Sequence, residues 1–269
     1  MSSALRKRIA TAVILGIALL VILLGLPPAV TVVMVTLVVL AGAWEWAGFL
    51  KVTGPSARAA YVGLIAVLIW GAWRLAARES GRDALILTGV IWWLVALLWV
   101  ALAPQRASAA TAAVAGVLAL VPMWLSLVCM RLGTNGAQWV VFVLILVFAA
   151  DIGAFFGGRH FGRVKLAPRG SPGKTWEGVL GGMVLSGAWA AGGSLWFHLP
   201  WLSFIPLCVA AVAFSIVGDL TESMLKRYAG LKDSGSLLPG HGGMMDRIDS
   251  ITAAAPVLFL GLTLMGVIP

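Results

Sequence analysis

The sequence predicts an all-α fold, a polytopic integral membrane protein of about nine transmembrane helices. Three observations carry that expectation. Hydrophobic residues make up 61% of the 269-residue chain and charged residues only 11%, with a mean hydropathy of +1.02; soluble domains carry about 25% charge. Apolar runs near the length of ~20 residues needed to cross a bilayer follow one another along the chain. The breaks between them hold turn formers, among them Pro27-Pro28, Gly54-Pro55-Ser56 and Gly133-Thr134-Asn135-Gly136.

In order, the candidate spans are 9–26, 29–50, 60–77, 84–103, 108–130, 137–156, 176–198, 202–222 and 250–268. Leu5-Arg6-Lys7-Arg8 ahead of an apolar run resembles a signal peptide. A second apolar run follows at once and no convincing cleavage site intervenes, so the segment reads as a retained first span. With Arg6-Lys7-Arg8 in the cytoplasm, fifteen of the nineteen Lys and Arg fall on that side, in keeping with the positive-inside rule. The main exception is 74–83, where Arg74, Arg78 and Arg82 lie outside, partly offset by Glu79 and Asp83. The polar loops 157–175 and 223–249 then share the cytoplasmic face. Residues 1–135 read as membrane-anchoring helices able to supply a dimer contact, and 136–269 as a catalytic transmembrane region. The net charge of +9 reports topology and contact with anionic headgroups, and nucleic acid is not expected as a partner. Cys129 and Cys208 sit in apolar runs without metal-ligand spacing and read as buried free thiols.

Acids are scarce. Of ten Asp and Glu, five fall between 218 and 250, and Asp151 and Glu177 lie just upstream. A carboxylate at the bilayer centre costs about 2.5–3.5 kcal/mol, so such a cluster asks for a function. Four constellations hold these residues. In Asp151-Ile152-Gly153-Ala154-Phe155-Phe156-Gly157-Gly158 the glycines suit close helix packing, whereas an acid in a span faces a partner or a polar cavity. In Ser171-Pro172-Gly173-Lys174-Thr175-Trp176-Glu177-Gly178, Ser171 or Thr175 can cap a helix whose free N–H groups attract anions. Lys174 adds a positive charge there, and Glu177 fits the first turn; a capped helix with an interfacial lysine is the plainer alternative. No strand is expected ahead of it, which excludes a soluble nucleotide-binding loop.

Asp219, Glu222, Ser223 and Lys226 fall at i, i+3, i+4 and i+7, on one helix face that can point into a polar cavity. Lys226-Arg227 also suits a positive-inside anchor. Last comes His241-Gly242-Gly243-Met244-Met245-Asp246-Arg247-Ile248-Asp249-Ser250. Gly242-Gly243 permits close backbone approach to a ligand. Asp246 and Asp249 share a face if a helix begins there, with Arg247 off that face. Facing Asp219, they would form an all-oxygen site suited to Mg²⁺; one His with no second His or Cys nearby argues against zinc. Helix capping by the two Asp is the alternative. Together these groups suit phosphoryl or nucleotidyl transfer to a lipid at a membrane surface.

The run Ser223-x-Leu-Lys226-Arg227-x4-Lys232-Asp233-x-Gly235-x2-Leu238-Pro239-x-His241-Gly242-Gly243-Met244-x-Asp246-Arg247-Ile248-Asp249 resembles the signature of the phosphatidate cytidylyltransferases, or CDP-diacylglycerol synthases. Asp151-Ile152-Gly153-Ala154 and the block at 171–178 are similar to that family's upstream motifs, although Gly173 stands where many members carry Lys or Asn. The resemblance implies transfer of CMP from CTP to phosphatidate, with release of pyrophosphate. It implies a multi-pass enzyme of the bacterial cytoplasmic membrane, Mg²⁺ dependence and a homodimer. It implies that Asp219 and Asp246 are ligands at a paired-cation centre, which brings in a second cation. The residues accommodate this. Asp219, Asp246 and Asp249 would hold metal. Lys226, Arg227, Lys232 and Arg247 would screen phosphates, and Ser171, Lys174, Thr175, Ser223, His241, Gly242 and Gly243 would contact substrate. Asp151, Glu177 and Glu222 can orient the ligands from behind. Two rival readings remain open. One is a related lipid-modifying enzyme, such as an isoprenoid-alcohol kinase or an ether-lipid cytidylyltransferase. The other is a cation transporter with an acidic path.

Overall fold

The computed structural model describes residues 16–52, 54–168, 170–235, 237 and 242–268. It is an all-helical bundle: α1 (Gly16–Gly25), α2 (Pro28–Trp46), α3 (Pro55–Leu75), α4 (Glu79–Leu102), α5 (Ala109–Leu132), α6 (Gly136–Phe161), α7 (Trp176–Trp196), α8 (Trp201–Ala229) and α9 (Met245–Leu264). Eight of these, α2 to α9, are long and apolar enough to cross a membrane. The ninth, α1, is the described part of the first expected span; residues 9–15 of that span lie outside the described residues.

Helix starts follow local chemistry. Pro28 and Pro55 open α2 and α3, where a missing N–H costs nothing. At the start of α5, Ser108 and Thr111 form a reciprocal capping box. The chain departs from pure helix between α6 and α7. There β1 (Lys165–Ala167) and β2 (Ser171–Thr175) pair antiparallel, Lys165 opposite Thr175 and Ala167 opposite Ser171, with a bulge between. The 157–175 segment is therefore the end of α6 followed by a hairpin, not a long loop, and a strand does lie in the 171–175 motif. It belongs to a two-stranded hairpin and not to the parallel sheet that a soluble nucleotide-binding loop requires.

The core centres on α5 and α9. Seventy-two per cent of the apolar window of each is buried, against 22% in α3 and α4, which leave Trp70, Val67 and Leu98 facing outward. Indole N–H groups tie distant elements to main-chain carbonyls: Trp46 Nε1 to Ala112 O at 2.8 Å and Trp93 Nε1 to Thr252 O at 3.1 Å. Such bonds satisfy a buried donor where lipid offers none. At the bundle end that carries the α3–α4 turn, Arg82 donates to Asp83 at 2.9 Å and lies over the Phe259 ring. Part of the positive charge that breaks the topology rule at 74–83 is thereby neutralised. The C-terminal ends of α2 and α8 lie together, with Lys51 Nζ 4.1 Å from the Tyr228 ring centre.

Candidate active site

Glycine decides how the helices meet here. Along α6 and α7 a Cβ on Gly153 would strike the Gly181 carbonyl oxygen, and one on Gly157 would lie 2.8 Å from Glu177 O. The backbones touch, which is the packing role expected of the glycines in the first motif. Between β2 and α7, Thr175 is the N-cap, its Oγ1 accepting from Gly178 N at 3.1 Å. Ser171 does not cap; it lies in β2. The capped turn sets Lys174 at the edge of α8, where its ammonium pairs with Asp219.

Along α8 and α9 a Cβ on Gly218 would lie 2.5 Å from Asp249 O. This close approach brings the next residue, Asp219, beside α9. Carboxylate oxygens of Asp219, Glu222 and Asp249 lie within 4.8 Å of one another. Glu222 is 1% exposed, Asp249 is 9% exposed, and Glu222 Oε1 has no hydrogen-bond partner among the described residues. Three acids this close repel and lose hydration, so the site needs positive charge. Lys226, one turn on from Glu222, donates to Glu222 Oε2 at 3.0 Å and to Asp246 Oδ1 at 2.6 Å. The group is all oxygen, with no His or Cys among its members. That donor set, with its orphaned buried oxygen, fits a hard divalent cation such as Mg²⁺.

Asp246 is engaged on both oxygens. Oδ1 receives Lys226, and Oδ2 accepts from Ser234 N and Gly243 N, each at 3.0 Å, with Ser234 Oγ also at 3.0 Å. The structure thus groups Glu222 with Asp219 and Asp249 and sets Asp246 across Lys226 from them. Sequence spacing placed Asp246 on the shared face but could not show that its own loop would claim it. Asp249 Oδ1 also accepts from Ser250 N at 2.6 Å.

A cavity of about 340 Å³ opens between α6, α7 and α8. Asp151, Lys174, Thr175, Ser215, Asp219 and Ser250 supply its polar lining, and Phe155, Val179 and Ile216 are among its apolar walls. Ser223 Oγ donates to Asp219 Oδ1 at 3.3 Å. Gly242, at φ +84°, makes the left-handed turn that presents the Gly243 amide to Asp246. Arg227, Lys232 and Arg247 are exposed near this end of the bundle. Glu177 does not join the acids: its carboxylate accepts from Val164 N at 3.1 Å and straps the hairpin to α7. His241 lies outside the described residues.

The sequence reasoning missed Glu45. It is 2% exposed in α2, and its Oε2 accepts from Ser234 Oγ and Met245 N, both at 2.9 Å. A lone acid within the apolar run 29–50 was the available signal.

Buried acids matched by lysines, beside an apolar-walled cavity in a helical membrane bundle, equip an enzyme for anionic substrates at a bilayer. Comparison with known proteins makes that class a nucleotidyltransferase. Residues 6–265 match the cytidylyltransferase family, and the chain belongs to it. A phosphatidate cytidylyltransferase of Pseudomonas aeruginosa is 42% identical over 264 residues, covering 94% of this chain and 95% of that protein. One of Haemophilus influenzae is 37% identical over 278 residues, covering 94% and 96%. A Brucella suis protein of the same name is 49% identical over 131 residues, covering 46% of this chain and 47% of that protein. The likeness therefore extends through the N-terminal spans as well as the motif-bearing segment.

Proposed function

We propose that this protein transfers CMP from CTP to phosphatidate, giving CDP-diacylglycerol and pyrophosphate. The observation that carries the reading is the meeting of Asp219, Glu222 and Asp249 with Lys174 and Lys226 beside a cavity with apolar walls. The names of the two relatives matched along most of their length support the choice of substrates.

Phosphatidate brings its own nucleophile. An anionic phosphate oxygen attacks the α-phosphorus of CTP, a new P–O bond forms, and the bond from that phosphorus to the β-phosphate bridge breaks. Pyrophosphate leaves with the electron pair. No proton has to be removed from the attacking oxygen, so a general base is not required. The barrier is electrostatic, because two polyanions must approach. Lys174 and Lys226 lower it by supplying fixed positive charge in a partly buried site, where charge interactions exceed those in water. Arg227, Lys232 and Arg247, exposed near the same end, draw the triphosphate in. The apolar walls around Val179, Val212 and Ile216 accept acyl chain beside the phosphate.

Mg²⁺ would be held by Asp219, Glu222 and Asp249, and a second cation would have to displace Lys226 to reach Asp246. Bound at the three acids, Mg²⁺ supplies charge neutralisation between the reactants and for the leaving pyrophosphate. Asp151 lies with Lys174 on the cavity wall. The Lys and Arg distribution supports a cytoplasmic orientation of this end in the bacterial inner membrane, where CTP is available. A homodimer is part of the same reading, with the outward-facing N-terminal helices as a contact surface.

The test is to incubate purified protein with Mg²⁺, phosphatidate and CTP labelled at either the α- or the γ-phosphate. Lipid labelled from the α-phosphate, with release of pyrophosphate, is the expected result. Label transferred from the γ-phosphate would make the protein a kinase, and no transfer from either would leave an acidic cation path as the better reading.

A further inference from the structure

We propose that Glu45 is a positioning residue for Asp246, acting through Ser234 and the first turn of α9. The inference deepens the reading above, in which Asp246 is a working carboxylate.

The arrangement links two parts of the chain that are remote in sequence. Helix α9 begins at Met245, and Met244 before it offers no side-chain cap. The first amides of a helix need acceptors, and an anion suits them best. Glu45 provides one from α2, its Oε2 accepting from Met245 N at 2.9 Å. The same oxygen lies 2.9 Å from Ser234 Oγ, and that hydroxyl also lies 3.0 Å from Asp246 Oδ2. One hydroxyl proton is thus held between two carboxylates. Ser234 N donates to Asp246 Oδ2 as well, and Ser234 Oγ accepts from Asp246 N at 3.3 Å. Any shift of Ser234 therefore moves the carboxylate that faces Lys226.

The surrounding glycines fit this role. A Cβ on Gly243 would lie 2.5 Å from Glu45 Oε2, and a Cβ on Gly235 would lie 2.5 Å from Glu45 Cδ. Gly235 is closed to larger residues by Glu45 itself, and Gly243 by Ser234 Oγ and Glu45 together. One turn earlier on α2, a Cβ on Gly42 would lie 3.1 Å from Ile248 Cδ1, so α2 is pressed against α9 here. A buried carboxylate is a costly way to fill space, and an apolar side chain of similar size commonly stabilises a fold as well or better. Holding Ser234 and the Met245 amide requires an acceptor, which an apolar side chain lacks.

The experiment compares Glu45→Ala, Glu45→Gln and Ser234→Ala in the full-length protein. Amide hydrogen exchange is measured without CTP, lipid or metal, alongside steady-state kinetics. The expected result is exchange at 242–247 faster by at least ~10-fold in Glu45→Ala and Ser234→Ala, with α5 unchanged, because a local cap is lost while the fold persists. Alongside it, kcat falls by at least ~30-fold in Glu45→Ala with KM for CTP changed little, and Glu45→Gln, which keeps an acceptor oxygen, recovers to within ~5-fold of wild type. Unaltered exchange in these variants overturns the proposal, and so does faster exchange with normal kcat. If Glu45→Ala does not accumulate, Ser234→Ala decides by the same two readouts. The exchange readout is independent of substrate, so a failed transfer assay with accelerated exchange would count against the reaction and not against this coupling.

Discussion

Two pairs of helices in this bundle meet backbone to backbone. Along α6 and α7 the contact runs through Gly153, Gly157, Gly178, Gly181 and Gly182, and the atoms that meet there are mostly main chain. Along α8 and α9 the contact is made at Gly218, and the next residue is Asp219. Glycine serves both seams by removing a side chain. In the first the result is a dense wall for the cavity; in the second it is a set of acids forced together. The first arrangement lowers energy by dispersion and main-chain contact. The second raises electrostatic energy and has a use only if cations and phosphates arrive. Stability and chemistry are thus divided between neighbouring seams, and substitutions can separate them.

The largest effect is expected from Asp219→Asn, which keeps the shape of the α8–α9 seam and removes its charge. Transfer should fall by at least ~10³-fold, the scale of losing a principal electrostatic element, while detergent-solubilised protein unfolds at an unchanged temperature. Near-normal turnover would mean that the acids are structural.

A sharper contrast comes from Gly218→Ala and Gly181→Ala. The added Cβ would lie 2.5 Å from a main-chain oxygen in each case, Asp249 O in the first and Gly153 O in the second. Overpacking of this kind costs about 1–3 kcal/mol, so thermal unfolding should report similar destabilisation for both. Transfer should fall by ~100-fold for Gly218→Ala and by less than ~5-fold for Gly181→Ala when each is assayed well below its unfolding temperature. Equal loss of activity in the two would erase the distinction between the seams.

Lys226→Ala should act more gently on transfer. It unpairs Glu222 and Asp246 but leaves the seam and Lys174 in place. The value of kcat/KM for CTP or phosphatidate should fall by ~10-fold, equivalent to about 1.4 kcal/mol of lost transition-state interaction. Unchanged kinetics toward both substrates would reduce Lys226 to a topology anchor.

Much of this was legible in the chain. Spans two to nine lie close to where apolar runs placed them, because lipid demands long apolar helices. The ends were less legible. Helix α8 continues to Ala229, beyond the expected 222, and α9 starts at Met245 rather than 250. Hydropathy marks where lipid ends, whereas a helix ends where its amides or carbonyls find other partners. Gly230, at φ +73°, supplies such an end for α8, with Leu231 N donating to Lys226 O at 2.8 Å. The hairpin at 165–175 was hidden because its strands are short and hold Pro172 and Gly173, and main-chain pairing leaves little trace in side chains. The gathering of Asp219 with Glu222 was readable from helical spacing. The partners of Asp246 were not, since Gly243 and in part Ser234 act through main-chain amides, and Glu45 comes from a helix 200 residues away from Met245 in sequence.

The central claim is that Asp219, Glu222 and Asp249 jointly hold one divalent cation against the triphosphate. Anomalous diffraction from crystals grown with Mn²⁺ and a non-hydrolysable CTP analogue tests it directly. A manganese peak bounded by those three carboxylates and a phosphate oxygen is the expected result. A peak bound elsewhere, or nucleotide seated without metal among these acids, would contradict it.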